Sequence, residues 1–259
     1  MKNNHKILAV ANQKGGVGKT TTSINLSAAL AMKKKRVLLV DSDPQGNASS
    51  GVGINRTKFN RHLYHAYTGA FETSEIVIKT SVKNLDIIPA NIDLVASEIE
   101  IISLDNREFR LKSILEQVSR DYDYTIIDCP PSLGLLTINA LTASDSVLIP
   151  MQCEYFALEG LAQLVNTIRS VKKSFNDSLF IEGLVLTMFD KRNKLTYQVA
   201  HEIEQHFGDQ LLKTAIPRNV RLSECPSHGQ NIIDYDKNST GSVAYRKLAL
   251  EFLKNQKAK

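Results

Sequence analysis

The chain has 259 residues, of which 42% are hydrophobic, and its 32 basic and 27 acidic side chains give a formal net charge of +5. A chain of this size can bury roughly three quarters of the surface that it exposes when unfolded. This composition therefore excludes a disordered protein and a disulfide-held mini-protein. The positive surplus forms no basic tail or arm, so it permits a polyanionic partner without indicating one.

The three cysteines, Cys129, Cys153 and Cys225, lie far apart and form no CxxC pair. This spacing argues against a disulfide framework and against a zinc site within one chain. The first apolar run is too short for a signal peptide, and no run reaches the roughly 18 apolar residues of a membrane span. We therefore expect a soluble protein in a reducing, cytoplasmic compartment.

Short apolar runs rich in β-branched residues predict six buried strands, at residues 7–11, 37–40, 85–88, 125–127, 147–150 and 181–187. Between them, apolar residues recur every three to four positions, as in amphipathic helices. Strands buried on both faces that alternate with helices predict an α/β fold with a mainly parallel central β-sheet flanked by helices. No linker divides the chain, so we expect a single domain over residues 1–259, least regular at 46–73 and 218–242.

The first predicted strand runs into a glycine-rich turn, NQKGGVGKTT at 12–21, which is followed by a helical pattern. Backbone N–H groups in such a turn can point at phosphate oxygens, and the helix N-terminus favours negative charge. The usual GxxxxGK[ST] pattern requires glycine where this chain has Gln13. The chemistry remains, since Lys19 can reach the β and γ phosphates and Thr20 can bind Mg²⁺. The residues expected to contact the nucleotide are Lys14, Gly15, Gly16, Val17, Gly18, Lys19, Thr20 and Thr21.

Acidic residues follow two of the later strands. Asp41 and Asp43, in DSDPQGN, come directly after the second strand, and Asp128, in YTIIDCPP, ends another apolar strand. The carboxyl ends of parallel strands meet at the edge where α/β sheets bind ligands. Turn formation would also explain Asp, Pro and Gly in the first motif. With a phosphate loop upstream, however, the acids favour a site for Mg²⁺ and for hydrolysis.

The second lysine within KGGVGKT, together with DSDPQGN, IIDCPP and the segment IPRNVRLSECPSHG at 216–229, resembles the ParA/Soj partitioning ATPases of the deviant Walker A (MinD/ParA) family. The likeness covers about residues 5 to 254. It implies a P-loop NTPase fold, weak intrinsic ATPase activity, and ATP and Mg²⁺ as cofactors. The first strand begins close to the N-terminus, so we expect the short form without an additional DNA-binding domain.

The resemblance also assigns roles within the site. Lys14 would cross a dimer interface to the partner's nucleotide and, with Lys19, neutralise charge in the transition state. Asp43 would position the attacking water, Asp41 would contact Mg²⁺ through water, and Asp128 would lie in the Mg²⁺ shell. The catalytic set is therefore Lys14, Lys19 and Asp43, and the metal set is Thr20, Asp41 and Asp128.

Further residues are carried over from the second half of the chain. Pro217, Arg218 and Asn219 would line the base pocket, and Arg192 and Arg221 would bind DNA. Ordinary solvated loop charges are the alternative explanation of the two arginines. For Glu154 and Glu159, which follow the strand at 147–150, capping or surface roles remain as plausible as a role in the site.

The implied function is a DNA-segregation switch. An ATP-dependent homodimer would bind double-stranded DNA without sequence preference. By the same resemblance, a ParB/Spo0J-type centromere-binding protein would stimulate hydrolysis through its basic N-terminal segment. We expect a nucleoid-associated protein without stable membrane association.

Three alternatives remain open. A MinD-like membrane-surface positioning ATPase would use the apolar spacing at 245–254 as a membrane helix. An iron–sulfur reductase would use Cys129 and Cys153, and a ligase-like enzyme would need an acceptor site that the sequence does not indicate.

Overall fold

The computed structural model describes residues 5–55, 59–154 and 157–258. Its strands, in chain order, are β1 (Lys6–Val10), β2 (Val37–Asp41), β3 (Ile78–Lys79), β4 (Leu85–Ile88), β5 (Tyr124–Asp128), β6 (Ser146–Gln152) and β7 (Phe180–Thr187). Within the described residues they form one sheet in the order β3-β4-β2-β5-β1-β6-β7. Every pairing is parallel except that of β3 with β4.

The helices of the described part are α1 (Lys19–Met32), α2 (Asn47–Gly51), α3 (Leu63–Thr68), α4 (Thr73–Ile76), α5 (Leu94–Glu100), α6 (Arg110–Glu116), α7 (Leu135–Ala143), α8 (Ala157–Ser174), α9 (Lys194–Phe207), α10 (Val220–Glu224), α11 (Ile232–Tyr235) and α12 (Thr240–Ala258). Short 3₁₀ turns lie at Arg107–Phe109, Ser119–Asp121, Gly208–Gln210 and Cys225–His228.

The predicted α/β class and mainly parallel sheet are confirmed. Each of the six predicted strands is present, with ends that differ by up to two residues. The edge strand β3 was not predicted, because two residues make no apolar run. It is also the antiparallel member of the sheet.

Two hydrophobic clusters cover the two faces of the sheet. The strand β2 supplies both, since Leu38 and Val40 belong to one cluster and Val37 and Leu39 to the other. Alternate side chains of a strand point to opposite faces, so a strand buried on both sides must be apolar at every position. Because packed clusters cover both faces of the sheet, the carboxyl ends of the central strands are held side by side.

The last helix, α12, packs on the same face as α1. Tyr245, Leu248 and Phe252 are buried in that cluster, and the hydroxyls of Tyr245 and Thr22 lie 3.2 Å apart. The apolar spacing at 245–254 therefore serves the core of the chain itself. Among the described residues, no helix has the length and apolar character needed to cross a membrane.

The two segments that were predicted to be least regular contact each other. A Cβ atom on Gly229 would lie 2.8 Å from the Cα atom of Gly53, and Gly229 has a φ of +63°. The loop after α2 and the turn after α10 therefore approach backbone to backbone. This contact requires glycine at residue 229 for its conformation and also for its size.

Replacement of Gly229 by Ala should lower the free energy of unfolding by about 3 kcal/mol, since it combines a left-handed conformation with a backbone clash. Gly69 is the matched control, because it has a φ of +75° but open space around its Cβ position. Gly69→Ala should cost only about 1 kcal/mol. Urea denaturation measures both values, and equal losses would contradict the importance of the contact.

Candidate active site

The loop at residues 12–18 joins β1 to α1. Gly16 and Gly18 have φ values of +75° and +86°, and a Cβ atom on Gly15 or Gly16 would meet no atom within 4 Å. No side chain caps the N-terminus of α1. Backbone N–H groups at this helix start therefore face an open cradle, which is an arrangement that binds anions.

The side chains of Asn12, in the loop itself, and of Gln152, at the end of β6, hold the loop in place. The amide of Asn12 donates to the Pro150 carbonyl at 2.7 Å, and its oxygen accepts from the Lys14 N–H at 3.0 Å. The amide of Gln152 donates to the Gly16 carbonyl at 3.1 Å. The loop is therefore attached to β6 at two points.

The strand β7 holds the next loop residue. The hydroxyl of Thr187 donates to the Val17 carbonyl at 2.8 Å, and its methyl group would lie 3.7 Å from a Cβ atom on Gly18. Nothing in the sequence pattern marks Asn12 or Thr187 as part of the site, because polar residues at strand ends are common.

The two lysines of the loop have different surroundings. Lys19 is buried, its Nζ donates to the Lys14 carbonyl at 3.1 Å, and burial lowers its pKa, against the opposing effect of Asp128. Lys14 is partly exposed, and its Nζ forms an ion pair with Glu154 of the same chain. Lys19 therefore lies inside the cradle and Lys14 lies at its rim. A partner for Glu154, which the sequence left open, is thus found in the structure.

Asp128 lies level with Asp41 and Val10 at the ends of β5, β2 and β1. It is fully buried, and its Oδ1 accepts from the Ser23 hydroxyl at 2.8 Å. Its Oδ2 is also buried and has no hydrogen-bond partner among the described residues. Burial raises the pKa of Asp128 and the nearby Asp41 raises it further, whereas the hydroxyls of Thr20 and Ser23 oppose the rise.

This donor set fits Mg²⁺. The ion prefers oxygen ligands and commonly binds to one or two protein groups while keeping several waters. The unpaired Oδ2 of Asp128 and the hydroxyl of Thr20 are such oxygens. A cation here would also satisfy a buried carboxylate that the protein leaves half-paired.

The carboxylate of Asp41 closes the turn after β2. Its Oδ2 accepts from both the N–H and the hydroxyl of Ser49 at 2.7 Å, and its Oδ1 accepts from the Asp43 N–H at 3.3 Å. Burial raises the pKa of Asp41. Ser49 also accepts from the Ala90 N–H at 3.0 Å, which joins the turn to the end of β4. Asp43 is nearly buried and accepts from the Gln45 N–H at 2.9 Å.

The expected base-pocket residues lie next to the end of β7. Pro217 pairs with Phe189 in an isolated parallel bridge, and the Arg218 N–H donates to the Phe189 carbonyl at 3.3 Å. The amide of Asn219 donates to Thr240, while its Oδ1 is buried without a hydrogen-bond partner among the described residues. A cleft of about 760 Å³ opens beside Pro217 and Arg218. Its remaining lining comes from the loop between β7 and α9, from residues 213–215 and from the region of α12, and not from the phosphate loop.

The two arginines expected to bind DNA lie outside this cradle. Arg192 is 88% exposed and binds both carboxylate oxygens of Asp190, which lowers the pKa of Asp190 to about 2. Arg221 is 55% exposed and pairs with Glu224 at 2.9 Å and Asp236 at 3.7 Å. Both guanidinium groups are accessible, and both are bound to neighbouring acids.

Known proteins resemble the chain along nearly its full length. Residues 5–181 match the protein-family model described as an AAA domain. The chain is 58% identical over 250 residues to the sporulation initiation inhibitor protein Soj of Bacillus subtilis, covering 96% of this chain and 99% of Soj. It is 51% identical over 254 residues to the chromosome partitioning protein ParA of Myxococcus xanthus, covering 98% and 90%.

A solved structure is similar as well. Cobyrinic acid a,c-diamide synthase from Mycobacterium smegmatis, with bound ADP and magnesium, superposes with a TM-score of 0.87 at 36% identity, covering 98% of this chain and 96% of that one.

A mainly parallel sheet in which a phosphate cradle joins β1 to α1, with a buried acid at the end of β5, defines a P-loop nucleotide hydrolase. With relatives more than 50% identical over almost the whole chain, the protein belongs to the Soj/ParA family of chromosome-partitioning ATPases. The family resemblance and the ATPase activity predicted from the sequence are therefore confirmed.

Replacement of Thr187 by Val should weaken nucleotide binding about tenfold, since it leaves the buried Val17 carbonyl unpaired at a cost of roughly 1–3 kcal/mol. Titration of a fluorescent ATP analogue in the presence of Mg²⁺ measures the change. Thr167→Val on α8 is the matched control, because that hydroxyl bonds only to its own helix, at the Gln163 carbonyl. Unchanged affinity in Thr187→Val would show that the loop keeps its shape without β7.

Proposed function

We propose that this chain is an ATP-dependent switch for DNA segregation, built as a single ATPase domain with its core at about residues 5–254. ATP and Mg²⁺ bind at the cradle, two subunits close over two nucleotides, and the closed dimer binds DNA. Hydrolysis then releases the DNA. The buried, unpaired Oδ2 of Asp128 beside the open loop supports the binding of Mg²⁺ and nucleotide, and the relatives Soj and ParA, which are more than 50% identical to the chain, support the segregation role.

Each group of the cradle has a chemical task in this proposal. Backbone N–H groups of Gly15–Thr21 and the Nζ of Lys19 hold phosphate oxygens. The hydroxyl of Thr20 and the Oδ2 of Asp128 hold Mg²⁺, which supplies neutralisation of phosphate charge when bound. Asp43 orients the attacking water, and Asp41 stabilises the turn that carries Asp43 and would contact Mg²⁺ through water. Asn219, with an unpaired buried Oδ1, offers an acceptor to the base beside Pro217 and Arg218.

Lys14 acts across the dimer interface in this proposal. In the single chain its Nζ is bound to Glu154 at the rim of the cradle, and it must leave that partner to reach the nucleotide of the second subunit. Exposed ion pairs contribute only about 0–1 kcal/mol. Breaking the ion pair with Glu154 therefore costs little free energy compared with what Lys14 gains by its attraction to the negative charge of a triphosphate.

The DNA-bound state depends on accessible cations. Arg192 and Arg221 exchange their carboxylate partners for DNA phosphates, and Lys191, Lys213 and Lys247 line the cleft beside Arg218. A dimer presents each of these groups twice, so DNA binding follows dimerisation and the protein associates with the nucleoid. A ParB-type centromere-binding protein stimulates hydrolysis and reverses the state.

The alternatives have less support. The helix expected to serve a MinD-like membrane anchor is α12, and its Tyr245, Leu248 and Phe252 are buried in the cluster that it shares with α1. The synthase that superposes on this chain is 36% identical to it, against 58% for Soj. Segregation remains the function that the site and the relatives favour together.

Replacement of Lys14 by Ala should leave ATP binding within about threefold of the wild type, because Lys19 and the backbone of the loop hold the phosphates. It should abolish ATP-dependent dimerisation or turnover, which analytical ultracentrifugation and phosphate release measure. Lys33→Ala, at an exposed lysine just after α1, is the control. Normal dimerisation together with normal turnover in Lys14→Ala would contradict a role in trans.

Replacement of Arg221 by Glu should weaken DNA binding by at least about tenfold and leave ATP-dependent dimerisation intact. Each lost phosphate contact reduces the magnitude of the negative slope of log K against log salt by about 0.9. A dimer, which loses two such contacts, should therefore show a slope that is smaller in magnitude by about 2. DNA co-sedimentation at several salt concentrations measures both effects. Arg36→Glu, at an exposed arginine paired with Asp123, is the matched control. A parallel loss of dimerisation would assign Arg221 to the subunit interface.

A further inference from the structure

Aliphatic side chains on and beside α5 form an exposed surface, here termed the α5 strip. Its members, with their exposed fractions, are Ile92 (69%), Val95 (44%), Ile99 (72%) and Ile102 (58%). Their spacing of three, four and three residues places them on one side of a helical path. Leu94, Ser97 and Ile101 face the opposite way and are buried. The strip is thus a second apolar face on an element whose first face already packs on the core.

Negative charge predominates around the α5 strip, and the one arginine at its end, Arg107, donates to the Ile102 carbonyl and pairs with Glu108. Residues 91–105 contain four acids and no lysine or arginine, in a chain of net charge +5. The acids are Asp93, Glu98, Glu100 and Asp105, and three of them, all but Glu98, are exposed. The molecule therefore combines its exposed aliphatic strip with a local charge opposite to that of the whole chain.

This combination selects among possible occupants. DNA and anionic lipid would be repelled by the acids, and a symmetric contact between two copies would place the same acids opposite each other. A helix with one apolar face and flanking lysines or arginines would bury the aliphatic groups and pair with the carboxylates. Charge complementarity therefore favours a basic, amphipathic protein segment.

The α5 strip is connected to both carboxylate turns of the site. The Oε1 of Glu98 accepts from the Leu136 N–H at 3.3 Å, at the start of α7, and α7 follows the turn after Asp128. On the other side, the Ala90 N–H donates to Ser49, which binds Asp41. A segment bound to α5 would therefore contact the helix that lies between these two hydrogen-bonded connections, one to the start of α7 and the other to the turn after β2.

We infer that the α5 strip is the docking site for the basic segment of the ParB-type partner, and that docking there stimulates hydrolysis through Glu98 and Ala90. This inference rests on the proposed function, since it names the surface on which that partner acts. The bound segment shifts α5, and the shift reaches the turns that carry Asp43 and follow Asp128.

A second acidic surface offers a direct comparison. A groove of about 810 Å³ between α8 and α9 is lined by Glu159 and Glu202. Its exposed aliphatic member is Leu195, at 39%. It has the acids but lacks the row of aliphatic groups, so it serves as the internal control for charge alone.

The test uses a fluorescent peptide of the N-terminal segment of the ParB-type protein encoded in the same genome. Binding to the full chain with ATP and Mg²⁺ is followed by anisotropy, and stimulation is followed by phosphate release. Ile99→Gln and Asp105→Lys should each weaken peptide binding about tenfold, which corresponds to loss of one central interface contact. Basal ATP turnover and ATP-dependent dimerisation should stay at wild-type values, because both residues are exposed and outside the cradle.

Leu250→Gln, at an aliphatic residue 50% exposed on α12, and Glu202→Lys, in the groove between α8 and α9, are the matched controls and should bind the peptide normally. Normal binding by both Ile99→Gln and Asp105→Lys overturns the inference and leaves the proposed function standing. Loss of binding in Glu202→Lys alone moves the partner to the groove and also overturns it. Loss of dimerisation in Ile99→Gln assigns the strip to a second copy. If the wild type neither binds nor responds to the peptide, the partner in the proposed function is wrong.

Discussion

The half-paired carboxylate of Asp128 is the constraint on which the arrangement of the site depends. A buried carboxylate is costly unless its oxygens are paired, and here Ser23 pairs only one of them. The parallel register of β1, β2 and β5 brings this group level with Asp41 and beside the first turn of α1. Because the phosphate loop directly follows β1, the same register also places the phosphate cradle beside Asp128. The protein therefore keeps an energetically unfavourable carboxylate at the point where it can bind a cation beside the phosphates of a ligand.

The loop and the strand-ending acids were predictable because their signals are local. Glycines followed by Lys19 and Thr20 have little purpose in packing, and an acid that ends an apolar strand is chemically conspicuous. The supports of the loop were not predictable. Asn12 and Thr187 are ordinary polar residues in sequence, and they gain their roles only when β6 and β7 are placed beside the loop.

Two other features depend on tertiary structure in the same way. The pairing of Lys14 with Glu154 requires the end of β6 to lie beside the rim of the cradle. The exposure of the α5 strip is even more difficult to predict from the sequence, because isoleucines at helical spacing ordinarily predict a buried face. The core already occupies the side of α5 that carries Leu94, so Ile99 is left in solvent. A sequence pattern indicates how many faces are apolar, whereas the fold decides which of them is covered.

The sheet order also has a consequence for how the protein folds. β1 leaves the ribosome before the other strands of this sheet, yet both of its neighbours, β5 and β6, begin only at Tyr124 and Ser146. The Pro150 carbonyl that anchors Asn12 comes later still. Parallel pairing over such sequence distances is slow, since the chain must close long loops before it gains contacts. A nascent chain thus exposes its glycine-rich turn long before that turn can acquire its shape, and the capacity to bind nucleotide arises late in folding.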